Sequence, residues 1–160
     1  MKDLVRTKPW NRVDQPVYSI ASFADGRHNM NICTYAFPVA LKPKQYIVAI
    51  YKNTLTEKLV KQQHEFVLQF LSGKHEKLIQ LLGRTSGFQV DKLKHLPETL
   101  PYKQFQLLPD LVAYVHLNVI TWIDSADHSC ALCEVVFSKN VSNRKILSTS
   151  TLRTKKIIRA

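Results

Sequence analysis

Residues 28–56 concentrate the groups of this chain best suited to holding a polar, flat or anionic ligand. Asn29-Met30-Asn31-Ile32-Cys33-Thr34 opens a polar, small-residue stretch that reads as a strand to Ala36. The apolar strand Tyr46 to Tyr51 follows and runs directly into Lys52-Asn53-Thr54 and a helix start. Asn, Thr and bare backbone amides offer hydrogen bonds to a flat polar ring. A strand that ends in Lys before a capped helix offers an anion site. Lys52 is a point charge, Asn53 and Thr54 are donors, and Thr56 lies in the first helical turn, where amides point outward; together they could hold a phosphomonoester. The same residues also suit an ordinary strand-to-helix junction with its cap and a solvated lysine, and at this point both readings stand.

Three further groups carry chemistry. Arg84-Thr85-Ser86-Gly87 offers a charge, two hydroxyls and a flexible glycine, in the pattern of an anion loop or of a plain surface turn. His128, beside Asp127 in a turn between two strands, could move a proton or hydrogen-bond a cofactor near neutral pH; it also suits an ordinary turn. Cys130-Ala-Leu-Cys133 has no second ligand pair for zinc and continues as a strand, where positions three apart face opposite sides, so these are structural thiols. The chain has no Gly-x-Ser-x-Gly, no His-Glu-x-x-His, no Walker loop and no Gly-x-Gly-x-x-Gly, and holds four glycines in all. Nucleophilic hydrolysis, zinc peptidase chemistry and Rossmann-type nucleotide binding lose support.

The elements that must position these groups belong to one domain, residues 1–160, long enough to bury a core without disulfide or metal. The apolar fraction is 45%. No apolar run reaches the ~18 residues of a membrane span, and the first residues lack a signal-peptide core, so a soluble, cytoplasmic protein is expected. Three cysteines without a framework spacing fit free thiols in a reducing compartment. The net charge of +11 suits polyanions, but Lys and Arg are scattered and only Arg153, Lys155, Lys156 and Arg159 approach a cluster.

Residues 1–14 read as an arm that packs one aromatic onto the body. Val17 to Phe23 alternates as a strand and ends at Asp25-Gly26, a hairpin signal. Gln45 to Tyr51 is a near-continuous apolar run, which predicts a central strand covered on both faces. Thr54-Leu-Thr-Glu57 fits a capping box ahead of a helix with Leu55, Leu59 and Val60 on one stripe. Glu65 to Leu71 reads as a strand, Lys74 to Leu82 as a short helix stopped by Gly83, and residues 84–110 as a long loop. Leu111 to Ile123 and Ser129 to Phe137 form a long antiparallel hairpin, and Ile146 to Ser150 with Lys156 to Ile158 a closing pair of short strands. The sum is a closed or nearly closed antiparallel barrel with helical plugs.

The order of these pieces resembles the flavin reductase-like proteins, FMN-binding split barrels that include flavoredoxin and NAD(P)H-dependent flavin reductases. The resemblance runs over residues 14–138: Asn29 through Thr34, Pro38 and Pro43 before the apolar strand, Lys52, Asn53, Thr54 and Thr56 after it, Ser86-Gly87 with Asp91-Lys92, then Asp127-His128 and Cys133-Glu134-Val135. It departs from the family pattern at Ile32, where a Thr is common, at Lys44 for a second Pro, and at Cys133 for a Gly. What the resemblance implies is a mainly β chain with short helices, an antiparallel split β-barrel of the FMN-binding type, and NAD(P)H-dependent reduction of flavin. It also implies FMN as cofactor, NADH or NADPH as co-substrate, a homodimer and an electron-acceptor protein as a further partner. By the same resemblance the flavin contacts are Asn29, Met30, Asn31, Ile32, Cys33 and Thr34, the phosphate contacts Lys52, Asn53, Thr54 and Thr56, the flanking loop Arg84, Thr85, Ser86 and Gly87, and the catalytic residue His128. A non-catalytic FMN carrier and a basic nucleic-acid-binding barrel using Tyr18, Tyr35 or Tyr51 as stacking platforms remain as alternatives.

Overall fold

The computed structural model describes residues 8–159. Its strands are β1 (Tyr18–Ala24), β2 (Arg27–Met30), β3 (Ala36–Leu41), β4 (Lys44–Tyr51), β5 (Glu65–Phe70), β6 (Leu100–Tyr102), β7 (Phe105–Leu107), β8 (Ala113–Asp124) and β9 (His128–Asn140), and its α-helices are α1 (Leu55–Gln63), α2 (Ile79–Arg84) and α3 (Thr149–Thr154). Seven strands form one antiparallel sheet in the order β2-β1-β5-β8-β9-β4-β3, and β6 and β7 form a separate hairpin. The sheet is mainly antiparallel β with short helices and does not close, which is the split form of the expected barrel.

Local chemistry accounts for the first hairpin. Ala24 pairs with Arg27 across Asp25 and Gly26, and both turn residues have positive φ, 49° and 74°. That geometry matches the right-handed twist of the flanking strands and favours Asp-Gly. After Met30 the chain leaves the ladder. Cys33 exchanges two 2.8 Å backbone hydrogen bonds with Tyr18, and the Tyr35 carbonyl accepts from Ala49 N at 2.9 Å. The stretch 31–35 therefore crosses from β1 to β4 where the sheet is split. It is not the continuous strand expected for Asn29 to Ala36, because its backbone groups are shared between two strands.

β1 and β5 are buried on both faces. On one side lie Ile20, Phe66 and Leu68 with Val48, Ile50 and Leu117; on the other lie Val67, Met30, Leu71, Leu82 and Phe105. Each fully buried side chain of this size contributes about 1.5–3 kcal/mol. The expectation that Gln45 to Tyr51 is central does not hold: β4 is next to the sheet edge, with Val48 and Ile50 buried and Ile47 and Ala49 half-buried. Its apolar run is continuous because Ala49 lines a cleft rather than a second core layer.

Other expectations shift for tertiary reasons. Trp10 is 67% exposed and does not pack on the body; Asp14 ties this segment down instead, accepting from Ser150 N at 2.8 Å. Leu4 and Val5 lie outside the described residues. The helix expected at 74–82 is a 3₁₀ turn, Gly73–Leu78, followed by α2, which contains Gly83 rather than ending before it. Gly83 packs against Ile32, where an added Cβ would make an ordinary 3.4 Å contact with Ile32 Cγ1. The 84–110 loop holds a 3₁₀ turn, Lys92–His95, and the β6–β7 hairpin. The closing strand pair is absent among the described residues; Ile146 and Ser148 make single bridges to Ser72 and Pro16, and Ser148 caps α3. The long β8–β9 hairpin runs as expected, from Ala113 paired with Asn140 to Asp124 paired with Ser129. Cys133 is buried and Cys130 half-buried, and all three thiols are free.

Candidate functional site

At the split, α1, the 31–35 crossover, α2 and the loop after it surround a cleft with two lobes, about 280 and 260 Å³ in volume. Asn31, Ile32, Tyr51, Gly83 and Arg84 line both lobes and join them. Together the lobes fall in the ~300–1,000 Å³ range of small-molecule sites.

The polar lobe is built on the start of α1. Thr54 accepts from Glu57 N at 3.2 Å and donates to the Tyr51 carbonyl at 2.8 Å, while Glu57 reaches back to Asn53 N at 2.8 Å. This is the expected capping box, its return bond falling one residue early. Burial disfavours ionisation of Glu57, but bonds from Lys61, Ser129 and the Asn53 amide outweigh it and hold the carboxyl below its usual range. The first backbone bond of the helix is Lys58 N to Thr54 O, so the amides of 55 and 56 precede it and are left to a ligand. Thr56, buried, accepts from Asn29 Nδ2 at 2.8 Å, which locks β2 to the helix start. Arg84, Thr85, Ser86 and Gly87 face this cap across the lobe.

The second, aromatic lobe is less polar. Ile32, Ala49, Tyr35 and Tyr51 wall it, with Thr34 and the Cys33 segment at its edge. The Cys33 side chain is core-facing, and burial pushes its thiol up to about 12. His128, 8% exposed, closes the lobe. Its ring lies 4.0 Å from that of Tyr51, and Nδ1 is 2.7 Å from Asp127 Oδ1. The bond with His128 holds the Asp127 carboxyl below its ordinary range. His128 is the first residue of β9, paired with Tyr51, rather than a turn residue.

The structure brings into this cleft Asn29, Asn31, Ile32, Cys33, Thr34, Asn53, Thr54, Thr56, Arg84, Thr85, Ser86, Gly87 and His128. Two expected residues lie elsewhere. Met30 is 1% exposed in the core, where its sulfur meets Gln69 Nε2. Lys52 turns away to the β8–β9 turn, pairing with Asp124 at 2.6 Å and donating to the Ser125 carbonyl. Its charge is thus neutralised, whereas Arg84, which lines both lobes, has no carboxylate within salt-bridge distance among the described residues.

The residues not anticipated are Tyr51 and Gly83 as shared walls, and Lys92. Lys92 is 4% exposed and donates to the carbonyls of Met30 at 3.0 Å and Leu82 at 2.9 Å, lining the polar lobe. Burial lowers its pKa to about 8. In the sequence it stood out only as part of the Asp91-Lys92 pair of the family resemblance, with no contact assigned to it.

The fold and cleft define a class, the split barrel with a two-lobed ligand site at the opening of the sheet. The family model for the flavin reductase like domain matches residues 10–150, and the chain belongs to that family. Among solved structures it is similar to an FMN-binding protein from Thermus thermophilus with bound 1-cyclohex-2-enone, at 18% identity and TM-score 0.75, covering 88% of this chain and 80% of that one. It is also similar to flavoredoxin from Methanosarcina acetivorans, at 16% identity and TM-score 0.74, covering 91% and 77%. The Streptomyces globisporus C-1027 NADH:FAD oxidoreductase SgcE6 matches at 15% identity and TM-score 0.79, covering 92% and 93%. No curated protein sequence matches the chain. Among the described residues no helix is long and apolar enough to cross a membrane.

Proposed function

We propose that the cleft binds FMN and that the protein is a cytoplasmic, homodimeric NAD(P)H-dependent flavin reductase. The observation that carries this reading is the division of one cleft into two chemistries. One lobe gathers a helix start, hydroxyls and a guanidinium; the other is aromatic and less polar, and both meet at Arg84 and Tyr51. That donor set fits a phosphomonoester joined to a planar ring.

The leading amides of α1 with Thr56 hold the phosphate from one side, and Arg84 with Ser86 from the other, while Thr54 caps and fixes the helix start that presents those amides. Ile32 and Tyr51 wall the ring and exclude water from it. Flavin supplies the acceptor for a hydride from the nicotinamide when bound. Asp127 accepts from His128 Nδ1 and fixes that ring against Tyr51, leaving Nε2 to orient the nicotinamide at the lobe's mouth. Exposed Phe37, Val39 and Leu41 on β3 and Ile120, Ile123 and Val136 on β8–β9 offer the apolar surface a homodimer would cover. The reduced flavin would then serve an electron-acceptor protein.

The test is the visible spectrum of the purified protein with added FMN, followed by anaerobic titration with NADH and with NADPH. Flavin bands that bleach support the reductase. Bands that persist indicate a non-catalytic carrier, and failure to take up FMN overturns both.

A further inference from the structure

Arg153, Lys156 and Arg159, close together in the sequence, are brought by the fold to the same hollow as Arg84. The segment after α3 is fixed by Ile157 N to Leu152 O at 2.9 Å and by Gln80 Nε2 on α2 to Ile157 O at 3.1 Å. This lays Arg153, Lys156 and Arg159 around a hollow of about 480 Å³ whose far wall is Arg84. Among the described residues none of these four cations has a carboxylate within salt-bridge distance, while the adjacent Lys155 is paired with Glu76 at 2.7 Å. The Nε of Arg153 is buried without a hydrogen-bond partner. Four like charges around one hollow repel each other, and an unpaired buried N–H is costly; a multivalent anion relieves both.

The position of the hollow selects the anion. It shares Arg84 and Ile158 with the aromatic lobe, where His128 stands, and only Arg84 with the polar lobe. A dinucleotide with its nicotinamide at the mouth of the aromatic lobe runs over Ile158 into the hollow. We infer that Arg153, Lys156 and Arg159, beside Arg84, form a subsite for the 2′-phosphate of NADPH and make this chain prefer NADPH to NADH. The inference rests on the reading of the cleft as a flavin and nicotinamide site.

Lys156→Gln/Arg159→Gln alters exposed residues outside both lobes, and Arg153→Gln tests the buried group. Calorimetric binding of NADP⁺ and NAD⁺ to the unloaded and FMN-loaded protein, with kcat/KM for NADPH and NADH, reads the effect. The expected result is tenfold or tighter binding of NADP⁺ over NAD⁺ in the parent, steep in salt. The double variant should lose that margin, with NAD⁺ and FMN affinities unchanged. Equal binding of the two coenzymes by the parent overturns the inference, as does an equal loss for both in the variants. Weakened FAD binding with NADP⁺ unchanged also overturns it, assigning the patch to a flavin diphosphate. FMN uptake without coenzyme preference defeats this inference alone. Absence of FMN uptake defeats the functional reading, and NADP⁺ binding by the unloaded protein then decides the subsite separately.

Discussion

Gly87 lies directly on Asn29: a Cβ at position 87 would stand 2.5 Å from Asn29 Oδ1 and 3.0 Å from Leu55 Cδ2. The loop after α2 is thereby pressed onto the floor of the polar lobe, and Asn29 is held against Thr56. The glycine is required by space. Gly87→Ala must push the Asn29 amide or the loop aside, at a cost of about 1–3 kcal/mol. Urea unfolding should show that loss, and fluorescence titration should show FMN affinity falling about tenfold or more.

Thr54 spends its hydroxyl on both the helix and the preceding strand. Thr54→Ala should cost about 1 kcal/mol, while Thr54→Ser should stay close to the parent. A thermal melt of the two variants checks the pair; equal loss in both would point to the methyl group rather than the cap.

His128 lines the aromatic lobe, beside Tyr51. His128→Gln keeps a hydrogen-bonding group but loses the stacked ring. NAD(P)H oxidation should slow by about tenfold or more, which is ~1.4 kcal/mol of barrier, with FMN affinity little changed. Stopped-flow reduction of the FMN-loaded variant separates the two effects.

Lys92 gives a pH dependence of defined sign. Below pH 8 it is charged in both states, and the folded protein carries the full cost of burying the ammonium. Between about 8 and its ordinary 10.5 the folded state releases the proton and the unfolded state keeps it, so stability from this group rises with pH. The stability of the parent relative to Lys92→Met should therefore grow from pH 7.5 to 9.5 in urea unfolding. The Cys33 and Cys133 thiols, pushed up to about 12, act in the opposite direction above 9 but are common to both proteins and cancel in the difference.

The same two thiols should be inert to aromatic disulfide reagents in the folded protein, because burial keeps them protonated. Cys130, half-buried, should react first, and all three should titrate in denaturant. A count of released thiolate before and after unfolding is the check.

Local rules carried much of the architecture. The Asp25-Gly26 turn, the Thr54 to Glu57 cap and the alternating β8–β9 hairpin are stabilised by neighbours in the chain, so their residue types declare them. The cleft residues from Asn29 to Thr56 and from Arg84 to Gly87 were legible as hydrogen-bonding types in family order. Side-chain direction was not. Met30 and Lys52 stand beside true cleft residues yet point into the core and to the β8–β9 turn, because Gln69 and Asp124, far away in sequence, decide their partners. Lys92 enters the lobe only because β2 and α2 bring two carbonyls together. The terminal cations converge on Arg84 only because Gln80 holds the chain's last segment against α2. By itself the sequence determined the turns, the caps and the hydrogen-bonding types of the cleft, since those depend on contacts a few residues apart. Only the tertiary structure decided which side chains meet there, since long-range pairing sets each strand's face and each loop's reach.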